Sequence, residues 1–232
     1  MLPWIELASA VAPGGGMLRL LRRGEEFSIR LGDGNELMNS RLSGSEEALA
    51  TLALERAGAR AAPVVLIGGL GMGFTLRAAQ AVAPADARLI VSEIVPELIA
   101  WASGPMQPVF GDCLSDRRVE IRQGDVGDEI RAASGGFDAI LLDVDNGPDG
   151  LTRDDNDGLY GEAGLRAARR ALRPGGVLAV WSAHRDAGFT KRLSRAGFVA
   201  EAHAVRAGRK RGARHTIWTA RRPHDRSAVQ VR

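Results

Sequence analysis

Cysteine is nearly missing from this sequence. Cys113 stands alone among 232 residues, so no internal disulfide and no multi-cysteine metal site is expected, and the single thiol suits a reducing cytoplasm. Tyr160 is the one tyrosine, and aromatic residues make up 5 % of the chain. The four histidines, His184, His203, His215 and His224, are scattered without ligand spacing, so no metal is expected. No apolar run reaches the ~18 residues of a membrane span. The opening Met1-Leu2-Pro3-Trp4-Ile5-Glu6 lacks the basic start and apolar stretch of a signal peptide. These absences predict a cytoplasmic protein with no membrane partner. A strong charge excess is missing too: 31 Lys and Arg stand against 28 Asp and Glu, a net charge of +3, so no nucleic-acid partner is expected. The local exception holds Arg209, Lys210, Arg211, Arg214, Arg221 and Arg222. It reads as an anion-binding segment or a solvated hairpin tip, and the lack of interleaved aromatics in the tip favours the second.

What remains is an ordinary globular composition, 45 % hydrophobic and 25 % charged, sized for one substantial domain and a small appendage. Residues 1–44 carry strand and turn signals: Trp4–Ala8, glycines 14–16, Met17–Arg22, Glu26–Leu31 and the turn Gly32-Asp33-Gly34. They predict a short antiparallel meander. A helix follows from Ser45, its expected N-cap, to Gly58. Residues 45–232 then read as the α/β domain, with strands at Val64–Ile67, Leu89–Ser92, Val119–Arg122, Phe137–Leu142 and Val177–Trp181. Helical patterns alternate with them near Phe74–Val82, Pro96–Ser103, Val126–Ala133, Gly161–Leu172 (stopped by Pro174-Gly175-Gly176) and Gly188–Ala196. The loop between the closing strands Phe198–Val205 and Arg214–Ala220 is too short for a helical crossover, so they pair antiparallel. The fold expected is α/β: a Rossmann-like, seven-stranded, mostly parallel sheet with an antiparallel C-terminal hairpin and a small N-terminal β appendage.

The most informative stretch is Pro63-Val-Val-Leu-Ile-Gly-Gly-Leu-Gly-Met-Gly-Phe-Thr-Leu-Arg77. A β-branched strand stops at glycines and a helix begins, as where an α/β sheet binds an adenosine-containing molecule at its first crossover. Gly69, Gly71 and Gly73 alternate as G-x-G-x-G rather than G-x-G-x-x-G, which points from a pyrophosphate towards a nucleoside thioether. Glu93 closes the next strand 20 residues after Gly73, where a carboxylate accepts both ribose hydroxyls; a helix-capping role is the alternative. Asp125, after the third strand, suits an adenine-edge contact or a turn.

In this order, Leu66-Ile-Gly-Gly-Leu-Gly-Met-Gly73, Val91-Ser-Glu93, Gln123-Gly-Asp125, Ile140-Leu-Leu-Asp-Val-Asp145 and Leu172-Arg-Pro-Gly-Gly-Val-Leu-Ala-Val180 resemble class I S-adenosylmethionine-dependent methyltransferases, and within them the spermidine synthase branch. The resemblance covers about residues 20–220. It implies a transferase using S-adenosylmethionine or decarboxylated S-adenosylmethionine, a small-molecule acceptor, and a homodimer formed through the N-terminal strands. Asp143-Val144-Asp145-Asn146-Gly147-Pro148 is similar to the family's aspartate-rich loop, which implies that Asp143 orients or deprotonates an amine acceptor and that Asp145 shares a cationic one. A helix-capping turn is the alternative for both. Tyr160, after the acidic stretch Asp154–Leu159, resembles the aromatic that ends the family's gating loop; packing against Leu165 or a strand edge is its alternative. Trp181 and His184 end the fifth strand, where they would line the acceptor pocket, or Trp181 would fill the core. Gly71 stands where spermidine synthases carry a loop aspartate facing the donor amine. Ser43-Gly44-Ser45-Glu46-Glu47 replaces their Tyr-His-Glu element. Both changes shift the expected reaction to methyl transfer onto a small, possibly amine, acceptor. Aminopropyl transfer, or a non-catalytic binding protein on the same fold, are the other readings.

Overall fold

The computed structural model describes residues 2–13, 15–144, 156–208 and 212–224, with 156 and 157 described in backbone only. Asp145, the loop residues Asn146, Gly147 and Pro148, the acidic stretch up to Asp155, and Arg209, Lys210 and Arg211 lie outside the described residues.

Four antiparallel strands come first: β1 (Ile5–Val11), β2 (Met17–Arg23), β3 (Glu26–Leu31) and β4 (Glu36–Asn39), paired in chain order. The first three follow the alternation in the sequence. The fourth was not expected, because a four-residue strand with a polar residue at each end carries little period-2 signal. Leu18, Leu20, Phe27 and Ile29 are buried against helix α1 (Gly44–Ala57) and the main sheet. The meander is therefore packed on the α/β body and shares its core.

The α/β part runs β5 (Val64–Gly68), α2 (Phe74–Val82), β6 (Arg88–Glu93), α3 (Pro96–Ser103), α4 (Gln107–Phe110), β7 (Val119–Gln123), α5 (Val126–Ala132) and β8 (Phe137–Leu142). It continues with α6 (Asn156–Tyr160), α7 (Glu162–Ala171), β9 (Leu172–Ser182), α8 (Ala187–Arg195), β10 (Val199–Arg206) and β11 (Arg214–Arg221). The seven strands order as β10-β11-β9-β8-β5-β6-β7. β11 pairs antiparallel with both neighbours, and the other described pairs are parallel. This is the Rossmann-like sheet with a C-terminal hairpin that the sequence predicts. Alternation sorts the strand residues cleanly: Ile67, Val91 and Leu141 face α1–α4 and the N-terminal sheet, while Leu66, Ile90 and Ile140 face α5–α8. Each fully buried aliphatic side chain contributes roughly 1.5–3 kcal/mol.

Two local expectations change. Ser43, not Ser45, occupies the N-cap position of α1, and Ser45 is buried as the second residue of the helix. Pro174-Gly175-Gly176 does not separate α7 from a later strand, because β9 begins at Leu172 itself. The ladder pairs Phe137 with Leu172 and then Ala139 with Val177, so the intervening residues bulge out where proline's missing N–H costs nothing.

Candidate functional site

The registers set the carboxyl ends of four strands side by side. Gly68 pairs with both Leu142 and Ser92, and Leu142 pairs with Val180. The glycine loop, Glu93, Asp143 and Trp181 therefore emerge along one edge of the sheet, where open α/β sheets place their ligands. A cavity of about 300 Å³ lies there, lined by the loop, Ser92–Val95, Gly124–Gly127, Asp143, Val144, Leu159 and Trp181. Its remaining wall comes from the N-terminal sheet and α1, through residues such as Leu18, Leu37, Met38 and Glu46.

The loop glycines are there for steric reasons. Gly69, at φ +88°, leaves no room for a side chain: a Cβ would stand 2.5 Å from the Asp143 carbonyl oxygen. At Gly73, φ +74°, it would stand 2.6 Å from the Phe110 ring. Both positions combine left-handed backbone with close approach. Gly71 lines the cavity with Gly69, whereas Gly73 starts α2 behind it. Glu93 is buried at the end of β6, where its carboxylate accepts from the Leu70 N–H at 2.9 Å and the Val95 N–H at 2.8 Å. These bonds fix the acid against the loop. A carboxylate has about four lone-pair positions, so it can accept further bonds from a diol. Asp125 caps α5, accepting from the Gly127 N–H at 2.7 Å, and lines the cavity too. Asp125 thus takes the turn role and lines the cavity with the same side chain. Between Glu93 and Asp125, Ile94 and Val126 offer apolar walls. A buried carboxylate, apolar side chains and the Cβ-free backbone of Gly69 and Gly71 thus line one part of the cavity.

The other end of the cavity is acidic. Asp143 leaves β8 and accepts a 2.6 Å hydrogen bond from Thr75 Oγ1 of α2. Burial pushes its carboxyl up to about 7; the nearby Glu46 carboxylate adds to the rise, and the Thr75 bond opposes it. Glu46 is also raised, first by burial, while the Ser45 hydroxyl, donating at 2.7 Å, works against the shift. Two acids with no described counter-ion between them attract a cation or share a proton. Trp181 lines this end, and the His215 ring stands edge-on to it at 4.7 Å between centroids. The Trp181 indole nitrogen is buried without a hydrogen-bond partner among the described residues.

Tyr160 is not brought to this site. It is 2 % exposed, shares a core cluster with Leu165, and meets Phe189 edge-to-face at 5.9 Å. Its ring is core packing; the neighbouring Leu159 reaches the cavity. His184 is exposed and does not line the cavity, while Trp181 does. Sequence reasoning missed Glu46, Thr75, Met38 and His215. Only Glu46 left a trace, as the acid retained in the Ser43–Glu47 segment. Within the basic segment, Arg222 serves the fold, donating to the Leu172 and Arg169 carbonyls. Among the described residues no cluster of His, Cys, Asp or Glu could hold a metal, and no helix is long and apolar enough to cross a membrane.

With this geometry in place, solved structures supply a match. A crystal structure of spermidine synthase from Thermotoga maritima superposes with a TM-score of 0.70 at 18 % identity, covering 95 % of this chain and 73 % of that one. A spermidine synthase in complex with the transition-state analogue AdoDATO matches with the same figures. The fold is shared with spermidine synthases. No protein-family model matches the sequence, and no curated protein sequence does.

Proposed function

We propose that the chain is a spermidine synthase-like transferase that moves the aminopropyl group of decarboxylated S-adenosylmethionine onto a small amine acceptor. One observation carries this reading: the charge of the cavity wall. Glu46, Glu93, Asp125 and Asp143 line it against Arg131 alone among the described residues, and Arg131 is already bonded to Asp128 at 2.6 Å. Such a wall suits a donor that carries ammonium and sulfonium charges and lacks a carboxylate. Glu46 and Asp143 supply acid that Gly71 does not, which answers the objection drawn from the loop. The spermidine synthase that binds AdoDATO on the same fold supports the choice of donor.

In this reading Glu93, Asp125 and the loop at Gly69 and Gly71 hold the adenosine, with Gly73 setting the turn into α2. Asp143 orients the acceptor and takes the proton that its nitrogen loses. The nitrogen lone pair forms the new N–C bond while the C–S pair returns to sulfur as a thioether. The sulfonium is already a good leaving group, so positioning and proton removal are what the protein adds. A carboxyl pushed up to about 7 is a better proton acceptor near neutral pH than an ordinary aspartate.

Methyl transfer from S-adenosylmethionine is the second reading, favoured by the bare Gly71. Calorimetry with S-adenosylmethionine, its decarboxylated form and 5′-methylthioadenosine separates the readings. Tighter binding of the decarboxylated donor by tenfold or more is expected. Preference for S-adenosylmethionine would select methyl transfer, and failure of all three would select a non-catalytic protein. We also propose a cytoplasmic homodimer joined through residues 1–44, with 45–232 as the donor-binding domain. Edge strand β1 presents Ile5, Leu7 and Val11 to solvent, Ile5 being 61 % exposed, an edge that a second copy would cover.

A further inference from the structure

The proposed transfer releases a proton into the cavity, and the chain has a hydrogen-bonded path leading away from it. Glu46 lines the cavity. Its Oε2 lies 2.7 Å from Ser45 Oγ, which lies 2.9 Å from His215 Nδ1. Ser45 is fully buried, whereas His215 is half-buried on β11. The path is held tightly: the Gly44 N–H donates to the Ala207 carbonyl at 2.9 Å, and a Cβ at Gly44 would stand 3.0 Å from the Arg206 carbonyl oxygen. The start of α1 is thereby clamped to the terminal hairpin.

We propose that Glu46, Ser45 and His215 form a proton relay that carries the acceptor's proton out of the cavity; the assignment of its task rests on the transferase reading above. Donor counting fixes its two states. An ionised Glu46 can only accept, and Ser45 has one proton to give. Ser45 therefore donates to Glu46, and His215 must donate from Nδ1 to Ser45. Asp143, which takes the proton from the acceptor, hands it to the neighbouring Glu46; with Glu46 protonated the order reverses, so that Glu46 donates to Ser45 and Ser45 donates to an unprotonated Nδ1. Moving each proton one place along regenerates the Glu46 carboxylate and leaves His215 as imidazolium. His215 then loses its Nε2 proton to water. One proton has left the cavity, and nothing is oxidised or reduced. Tautomerisation of the imidazole through water resets the path. The charges facing this path are Glu47 beside Glu46, Asp143 across the cavity and His184 beyond Trp181. Burial, with His184 assisting, holds the His215 pKa below its ordinary value, which speeds release of the proton once it arrives.

Nitrogen-15 NMR of the ligand-free protein tests the path without any substrate. At pH 8 His215 should carry its proton on Nδ1, the less common imidazole tautomer, and Ser45→Ala should return it to Nε2. A wild-type chain already in the Nε2 form, or a tautomer indifferent to Ser45→Ala, overturns the relay. Turnover with decarboxylated S-adenosylmethionine and 1,4-diaminobutane then tests its task. Ser45→Ala and His215→Asn should each lower kcat by about tenfold, a fraction of a full acid–base contribution, with donor KM unchanged. Asparagine can still donate to Ser45 but cannot pass a proton on, so a His215→Asn variant with normal kcat would reduce His215 to positioning and defeat the proposal. If the wild-type chain shows the Nδ1 tautomer but no turnover, the transferase reading falls and the hydrogen-bonded path stands.

Discussion

Strand β8 carries an aspartate near each end, and the two live in opposite electrostatic worlds. Asp138, 1 % exposed, accepts from the Val64 N–H at 2.8 Å and from Arg173 at 2.6 Å, with Arg60 at 3.2 Å from its other oxygen. Asp143, five residues on, has one hydroxyl donor and faces a second acid. Asp138 is a neutralised anchor tying β5, β8 and the start of β9 together. Asp143 is left short of positive charge in the wall of a cavity, and a carboxylate in that state is where binding or proton transfer is to be sought. Counter-charge, not residue type or burial alone, separates the structural acid from the candidate chemical one.

The sharpest way to break this comparison is Asp143→Asn. Asparagine keeps the volume and the bond from Thr75 but takes up no proton. Turnover should fall by ~10²–10⁴-fold with donor affinity nearly intact, both measured on the same folded variant. Near-normal turnover would make Asp143 a second anchor. In the wild-type chain kcat/KM should rise with pH through about 7, because below that Asp143 is protonated and cannot accept; a flat profile from pH 5.5 to 8 would contradict the assignment. The complementary change, Asp138→Ala, strands two arginines and the Val64 N–H. Denaturant unfolding should show a loss of about 2–4 kcal/mol, below the range for fully buried pairs because both arginines reach solvent, while the folded fraction keeps its donor affinity. Glu93 is the intermediate case, a buried acid satisfied by backbone N–H groups. Glu93→Ala should weaken every adenosine-containing ligand alike, by roughly 1–3 kcal/mol through lost charge-assisted bonds. Calorimetry with 5′-methylthioadenosine reads this loss without the reactive end of the donor.

Where order is local, the sequence is readable. Phe74–Val82, Pro96–Ser103 and Phe137–Leu142 have the bounds expected of them, because β-branched runs, glycine stops and a proline at a helix start act within a few residues. Gly69 could be singled out by its neighbours alone, and its clash with the Asp143 carbonyl supplies the steric reason. What escaped reading is long-range. Ser45 and His215 are 170 positions apart, and no pattern in either segment announces their hydrogen bond. For Tyr160 the sequence leaves a gating role and core packing open, because nothing near it announces the Phe189 ring across the core. The N-terminal strands are legible as a β appendage, but period-2 alternation shows that a face is buried without showing against what.

That last feature bears on the order in which the molecule can be made. The wall supplied by Leu18, Leu37 and Met38 is synthesised well before Trp181, which lines the same cavity. Ser45 waits longer still for β11. A site built by joining segments far apart in the chain closes only after the slow, loop-spanning contacts have formed. A nascent chain halted before β9 therefore lacks the Trp181 wall, and the cavity is complete only once β9 has joined the sheet.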